Sequence, residues 1–434
     1  MWKKVITAIP LMLISTLFLM ACGGKEAEAG EAVVEETAEN NTDTGAEALE
    51  ESEPEELSGE LTILSWLPFN SWEYVIEGFT TEHPGVTVTV ETNQVEKAAT
   101  ASYMEKYTTR ILTGEGFDIV ESSLVNMEKC AGQGLFVDLY ELMDADESFH
   151  REDYFSCIFK AAETDGKLPA FVYNVKPTYI HLNKKLLEGA GLEYTKDTIS
   201  FTELYELYEK VRENAGERIL LTDLGYGYEG MSDYENGYFI RNNLMDSEEY
   251  EEYLKMRHEL YYLPKIRSDW HDGTMKIGDD VLCCLSDLLL PGDHAGEMFE
   301  GTEDMTGVIL YESMHGEHYP MSAATLSISS FSENKELAWE FIKYAFSDKE
   351  TSLNHTSLFS PNRKKMEKVS EELTPENRER LFRDIESINA FKYIDSNLYY
   401  NLESVYEDYF VDNTITAEEC CKELAGRVYL YLNE

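Results

Sequence analysis

The chain has 434 residues, with 36 Lys and Arg against 84 Asp and Glu, so its formal net charge is −48. So acidic a composition argues against binding to nucleic acid or to anionic lipid headgroups, because phosphate binding needs a basic stripe. The seven cysteines are too few and too irregularly spaced for a disulfide-dense scaffold.

The first 21 residues are predicted to be a secretion signal. Lys3 and Lys4 precede an apolar stretch from Val5 to Ala21, which is slightly short for a transmembrane helix and is followed by acidic residues rather than a stop-transfer cluster. The tetrad that ends at Cys22, LMAC, resembles the lipobox of bacterial lipoproteins, whose cysteine is acylated and becomes the new N-terminus. The resemblance implies that Cys22 anchors the chain by lipid at the extracytoplasmic face of a bacterial cell membrane. The alternative is an ordinary signal with a chance cysteine.

A flexible, acidic tether is predicted for residues 22–60. From Lys25 to Glu60 the sequence consists mainly of Glu, Ala, Thr, Ser and Gly, with almost nothing to bury in a core. The remaining residues, 61–434, are expected to form two lobes, since a single core stops growing at roughly 250 to 300 residues.

The beginning of the folded part alternates between strand and helix patterns. Buried apolar runs and strict alternation predict strands, and apolar residues at helical spacing predict helices. In chain order we predict a strand at 61–66, a helix at 72–79, a strand at 86–90, a helix at 103–112 and a strand at 117–120. This order is typical of an open α/β fold with short parallel strands.

Eight segments in a fixed order carry a resemblance to a known family. They begin with PGVTVTVE, LTGEGFDIVESS and GQGLFVDLYELM, and they end with ITAEECCKELAGRVYLYLNE. In this order they resemble the family 1 extracellular solute-binding proteins, the maltose-binding-like group. The resemblance implies an α/β, two-lobed, periplasmic-binding-protein-like fold of type II, with a ligand cleft between lobes joined by a hinge. It assigns 61–170 plus about 320–360 to the N-terminal lobe, and about 171–319 plus 361–434 to the C-terminal lobe.

The same resemblance implies a function. It suggests a monomeric receptor of an ABC importer that binds a sugar or oligosaccharide in the cleft, needs no cofactor, closes around the ligand and delivers it to a membrane permease. Two alternatives stay open. One is a surface lipoprotein that docks on carbohydrate or on a sensor protein without transport, and the other is a secreted glycoside hydrolase.

Nothing in the sequence supports catalysis or a metal centre. The sequence contains no GxSxG elbow, Walker loop or HExxH, so no catalytic residue is predicted. Glu312, His315 and His318 lie close together, but in a glycine-containing segment that we interpret as a solvated loop rather than a zinc site.

Candidate ligand contacts follow the predicted strands, because open α/β folds bind ligands beyond the carboxyl ends of their strands. Trp66 can stack on a pyranose ring while its indole N–H donates, although it can equally cap the core. Asn70 can donate and accept toward hydroxyls, and Glu121 and Ser122, with Ser123 beside them, suit sugar hydroxyls; a solvated turn is the alternative for this second loop.

Further candidates lie at the predicted crossing between the lobes and in the second lobe. At the crossing, Lys176 matches a position where the resembled maltose binder has an acidic side chain, which implies a different ligand. The other candidates are aromatic: Tyr173, Tyr179, Tyr226, Tyr228, Trp270 and Tyr399. The stripe of Phe201, Leu204, Tyr205 and Tyr208 has helical spacing and is predicted to pack in a core instead.

Overall fold

The computed structural model describes residues 57–66, 71–92, 101–215, 221–223, 232–260, 281–286, 306–307, 309–349, 353, 359–371, 373–391 and 396–433. These residues form an α/β structure with two five-stranded sheets. The strands are β1 (Ser58–Ser65), β2 (Gly85–Thr92), β3 (Ile119–Glu121), β4 (Phe171–Pro177), β5 (Tyr179–Leu182), β6 (Thr198–Ser200), β7 (Leu221–Asp223), β8 (Val281–Ser286), β9 (Ile309–Glu312) and β10 (Pro320–Ile328).

Fourteen α-helices lie within the described ranges. They are α1 (Glu73–Glu82), α2 (Ala101–Thr113), α3 (Met127–Gly132), α4 (Leu139–Ala145), α5 (Ser156–Ala162), α6 (Lys184–Gly189), α7 (Phe201–Ala215), α8 (Ser232–Arg241), α9 (Glu248–Leu260), α10 (Lys335–Ala345), α11 (Arg363–Val369), α12 (Pro375–Glu386), α13 (Ser396–Tyr406) and α14 (Ala417–Asn433). Several begin with a side-chain cap; α12, for example, starts with Pro375 directly after Thr374, whose hydroxyl accepts from the Asn377 amide.

The first sheet has the strand order β2-β1-β3-β10-β4. β1 pairs in parallel with β2 and β3, and β10 runs antiparallel to β3 and β4. The two predicted helices and three predicted strands at the start of the folded part are therefore confirmed, with the parallel pairing. Strand β1 and helix α1 extend beyond the predicted ends by a few residues.

The second sheet has the order β6-β9-β5-β8-β7. β6 pairs in parallel with β9 and β7 with β8, whereas β5 is antiparallel to both of its neighbours. This sheet packs on its own apolar core, which includes Phe201, Leu204 and Tyr208 of α7. The interpretation of that stripe as packing is confirmed.

The first sheet is covered by apolar residues on both faces. One face packs on a large core with α1, α5, α10 and α12, which includes Phe79, Phe171 and Phe341. The other face carries a smaller cluster with α2, which includes Leu64, Tyr107 and Val120. Alternate residues of β1 and β3 therefore face opposite cores, as the pleat of a strand requires.

The chain passes between the sheets at positions that differ from two of the predicted lobe boundaries. β4, which lies after the predicted boundary at 170, pairs with β10 and completes the first sheet. α11 and α12 also bury Met366, Leu381 and Ile385 in the first core, so the last passage falls after these helices rather than at 361. The apolar residues of β4 and α12 are buried in the first core, and this packing places both elements with the first sheet.

The tether prediction also needs a correction at its C-terminal end. β1 begins at Ser58, and Ser58, Gly59 and Glu60 pair with Gly85, Val86 and Thr87 of β2. A parallel ladder is formed by backbone groups, so polar side chains such as Glu60 do not prevent pairing. The signal, Cys22 and residues 23–56 lie outside the described residues. Among the residues that are described, no helix is long and apolar enough to span a bilayer.

Candidate functional site

The carboxyl ends of the parallel strands β1 and β3 meet at one edge of the first sheet. Leu64 of β1 lies opposite Val120 of β3, and Glu121 lies opposite Leu326 of β10. The Tyr107 hydroxyl of α2 lies 2.5 Å from the Glu121 carbonyl oxygen and 3.2 Å from that of Leu64, so it fastens both strand ends to the helix. Polar side chains that follow these strands are therefore held at a common edge.

Ser122 is fixed within this edge by internal hydrogen bonds. Its Oγ lies 2.9 Å from Thr325 Oγ1 and 2.8 Å from Ser327 Oγ, and its backbone amide donates to the Thr325 carbonyl at 2.8 Å. The side chain is fully buried. Its hydroxyl is thus engaged in joining β3 to β10.

Glu121 is a fully buried acid with one unpartnered oxygen. Oε1 accepts a hydrogen bond from the Ser123 hydroxyl, whereas Oε2 has no hydrogen-bond partner in the described part of the chain. Burial raises the pKa of Glu121 to about 8, against the smaller opposing effects of Ser123 and the Thr325 backbone. The carboxyl group is therefore largely protonated at neutral pH.

Tyr173 lies close enough to Glu121 for its charge to act on the phenol. Burial, and then the Glu121 charge, raise the pKa of Tyr173 well above its ordinary value, so the phenol stays neutral. Its ring stacks on Phe346 with centroids 5.5 Å apart, which fixes its direction. The hydroxyl is buried and has no hydrogen-bond partner among the described residues.

Trp66 directly follows β1, at the carboxyl end of that strand. Its half-buried ring packs against the smaller cluster of the first sheet, as do Leu124 and Tyr400. Its indole N–H is buried, and no acceptor for it exists in the described ranges. The ring therefore packs while its polar atom is left without a partner.

The remaining predicted contacts are divided between buried, half-buried and undescribed positions. Tyr179 is buried, and its hydroxyl donates to Asp384 Oδ2 at 2.9 Å, so this hydroxyl is engaged within the protein. Lys176 Nζ lies 5.6 Å above the Phe359 ring. Tyr399 is half-buried on α13, with its ring 5.6 Å from that of Tyr400. Asn70, Tyr226, Tyr228 and Trp270 lie outside the described residues.

The segment around His315 is packed rather than solvated, which corrects its interpretation. His315 stacks on Tyr238 with centroids 3.4 Å apart, and His318 Nε2 lies 3.1 Å from Glu312 Oε2. Buried Glu235 accepts from the Tyr311 hydroxyl at 2.8 Å, and burial raises its pKa to about 7. Within the described residues, no group of three or more His, Cys, Asp or Glu side chains could hold a metal ion.

Three residues of this edge are missed by sequence reasoning. Tyr107, Thr325 and Ser327 hold Glu121 and Ser122 in place. A signal for the last two exists, since Thr325 and Ser327 alternate with Leu326 and Ile328 in a strand pattern and thus share one face. Tyr107 lies on the apolar face of α2 and looks like an ordinary core residue, so its hydroxyl contacts have no sequence signal.

The chain is similar to known solute-binding proteins. The family model described as "Bacterial extracellular solute-binding protein" matches residues 66–270. No curated protein sequence matches the chain. The likeness to the solute-binding family stated from the sequence is confirmed.

Solved structures give the same fold. An ABC substrate-binding protein from Listeria monocytogenes in complex with cycloalternan has a TM-score of 0.59 at 16% identity, covering 87% of this chain and 99% of that one. Maltose-bound MalE3 of T. maritima has a TM-score of 0.52 at 18% identity, and the match covers 86% of this chain and 99% of that one. The GacH receptor of Streptomyces glaucescens was solved unliganded and with acarbose. It has a TM-score of 0.54 at 17% identity, and the match covers 86% of this chain and 97% of that one. At these identities the likeness shows the fold alone, and the two-lobed α/β fold is confirmed.

Proposed function

We infer that this chain, a member of the bacterial extracellular solute-binding protein family, is the lipid-anchored receptor of an ABC importer and binds a carbohydrate beyond the strand ends of its first sheet. One observation carries the proposal. Trp66 Nε1, Glu121 Oε2 and Tyr173 Oη are buried polar atoms that have no hydrogen-bond partner among the residues the structure describes, and all three belong to residues at or beside this edge.

Unpartnered polar atoms of this kind favour a polar ligand. Each buried donor or acceptor that is left unpaired costs about 1 to 3 kcal/mol, which a ligand with several hydroxyl groups can offset. Indole and phenol rings add flat apolar faces, which suit the apolar side of a sugar ring. The proteins of similar fold that were solved with cycloalternan, maltose and acarbose support the carbohydrate class.

The proposed mechanism is closure of two lobes around the ligand. A ligand bound on the first lobe stabilises the closed state through contacts that form only when the second lobe arrives, so it shifts the open–closed equilibrium. The closed receptor then delivers the ligand to its permease. Within this proposal the protein has no catalytic residue.

A thermal-shift screen of mono- and oligosaccharides tests the binding proposal. A ligand at one hundred times its dissociation constant stabilises the native state by about 2.7 kcal/mol, which is easily measured. We expect a subset of sugars to raise the melting temperature, and the effect to be smaller in a Tyr173→Phe variant. If no carbohydrate raises the melting temperature, the proposed ligand class is wrong.

Cell fractionation tests the proposed anchor. The parent protein should sediment with membranes and resist a salt wash, whereas Cys22→Ser should be released, because the change removes the only proposed acylation site. Membrane association that persists unchanged in Cys22→Ser would show that Cys22 is not the anchor.

A further inference from the structure

Within the described residues, the groups known to interact with Glu121 are neutral. The Ser123 hydroxyl and the Thr325 backbone form hydrogen bonds with it, its charge acts on the Tyr173 phenol, and no described Lys, Arg or His shifts its pKa. A buried carboxylate is normally paired with a cation, because an unpaired charge in an apolar interior is very costly. This acid has no such partner within the described part of the protein.

The two oxygen atoms that have no partner in the described part of the chain, Glu121 Oε2 and Tyr173 Oη, can both accept hydrogen bonds. Glu121 Oε2 is an acceptor when the acid is ionised, and the Tyr173 hydroxyl oxygen accepts in its neutral form. A protonated amine carries three donors and no acceptor, which complements this pair, whereas a sugar hydroxyl brings one donor. Hydrogen bonds between ionised partners are also roughly twice as strong as those between neutral ones.

We propose that Glu121 is the counter-ion of a basic nitrogen on the ligand, so that this receptor selects amino sugars over sugars that bear only hydroxyl groups. The inference rests on the proposed function and deepens it. Two further features agree with it: the formal net charge of −48 attracts cations to the molecule, and the aromatic ring of Tyr173 lies beside the same edge.

Binding of an ammonium group has a proton balance that can be measured. Glu121 loses its carboxyl proton to solvent as the ammonium binds, and the ligand keeps its own proton. Because the pKa of Glu121 is about 8, ionising it at pH 7 lowers the affinity about tenfold. The ion pair with the ammonium must strengthen binding by more than this loss. Nearly one proton should therefore be released for each amino sugar bound at pH 7.

The experiment compares matched sugars that differ only at carbon 2. Glucose, glucosamine and N-acetylglucosamine, their galactose and mannose counterparts, and β-1,4-linked dimers to tetramers of the glucose series are titrated into the parent protein and into Glu121→Gln by calorimetry. Two buffers of different ionisation enthalpy report the protons released. Gln keeps the shape of Glu and removes the charge, and the melting temperature of each variant verifies folding.

We expect amino forms to bind the parent at least about tenfold more tightly than the hydroxyl forms, and this preference and the proton release to disappear in Glu121→Gln. Hydroxyl or N-acetyl forms that bind as well as amino forms would overturn the inference while leaving carbohydrate binding intact. A preference that persists in Glu121→Gln would overturn the assignment to Glu121. Should no carbohydrate bind, in this panel or in the wider screen, the proposed function fails together with the inference.

Discussion

At the scale of single residues, Glu121, which is buried with no cation beside it among the described residues, makes the free energy of unfolding of the unliganded protein depend on pH. The folded pKa of Glu121 is about 8 and its ordinary value is 4.5, so the folded state binds the proton more tightly than the unfolded state. The stability contribution of Glu121 is therefore complete below about pH 4.5 and is lost as the pH rises to 8. Tyr173, which faces Glu121, stays neutral throughout this range.

We predict that Glu121→Gln stabilises the unliganded protein, because the amide carries no charge to desolvate. The free energy of unfolding should exceed that of the parent by an amount that grows from pH 5 to pH 8, to on the order of a few kcal/mol, and then stays constant. Urea unfolding at several pH values measures it. Exposed Glu77 of α1 gives the control, since Glu77→Gln should leave the pH profile unchanged. A constant difference between Glu121→Gln and parent would contradict the pKa assigned to Glu121.

Two tryptophans allow packing and ligand binding to be separated. Trp66→Phe keeps an aromatic ring on the cluster but removes an N–H that has no partner, so we expect near-parental stability and a loss of about three- to tenfold in ligand affinity. Trp339 donates to Asp146 at 2.9 Å within the protein. Trp339→Phe should instead lower the free energy of unfolding by about 1 to 2 kcal/mol and leave the ligand affinity unchanged. Equal behaviour of the two variants would assign the Trp66 N–H to folding alone.

The residues of the edge differ in how far the sequence predicts them. Trp66 can be found because it directly follows a strand with a clear apolar pattern, and Glu121 because it ends such a strand. Whether a polar side chain there has a partner depends on distant residues, such as Thr325 and Ser327 for Ser122, and a single sequence does not reveal such contacts. For this reason the sequence predicts Ser122 as a ligand contact, whereas in the structure its hydroxyl joins β3 to β10.

At the scale of elements, the first three residues of β1 should matter for stability although they are polar or small. They pair with Gly85, Val86 and Thr87, and Asn334 Nδ2 donates to the Glu60 carbonyl at 3.2 Å. A chain that begins at Leu57 should fold as the parent does. One that begins at Leu61 should lose about 2 to 3 kcal/mol, because several backbone hydrogen bonds at about 1 kcal/mol each are removed.

Urea unfolding of the two shortened chains checks this expectation, and a third chain separates backbone from side chain. It begins at Leu57 and carries Glu60→Ala, which leaves the paired backbone intact; its stability should equal that of the first. If the chains that begin at Leu57 and Leu61 unfold at the same urea concentration, the pairing of residues 58–60 contributes nothing.

Local patterns predict elements better than they predict where elements pack. The early strands and helices have clear alternation or helical spacing, and these determine their type. β4 and α12 have equally clear patterns, but their apolar residues could be buried on either sheet. Phe171 and Ile385 join the first core, and only tertiary packing decides this. The lobe boundaries therefore follow from the structure and not from the sequence pattern.

At the scale of the whole molecule, the described elements place three crossings between the sheets: between β4 and β5, between β9 and β10, and between α12 and α13. The first crossing is short, since Pro177 ends β4 and Tyr179 begins β5. Each sheet has a core of its own, so a change of backbone angles at the crossings can move one relative to the other without disrupting either core.

This arrangement leads to a prediction about closure. Small-angle X-ray scattering of the chain that begins at Leu57 should show a smaller radius of gyration when a sugar that raises the melting temperature is present at saturation, because the ligand gains contacts from the second lobe only in the closed state. A sugar that does not shift the melting temperature, at equal concentration, controls for solvent contrast. Trp66→Phe should reach the same compact form at a higher ligand concentration, since the variant weakens binding but leaves the crossings unchanged. A radius that stays constant at saturation would mean rigid docking, in which case the ligand is recognised by a preformed site and the permease must read occupancy without a change of lobe position.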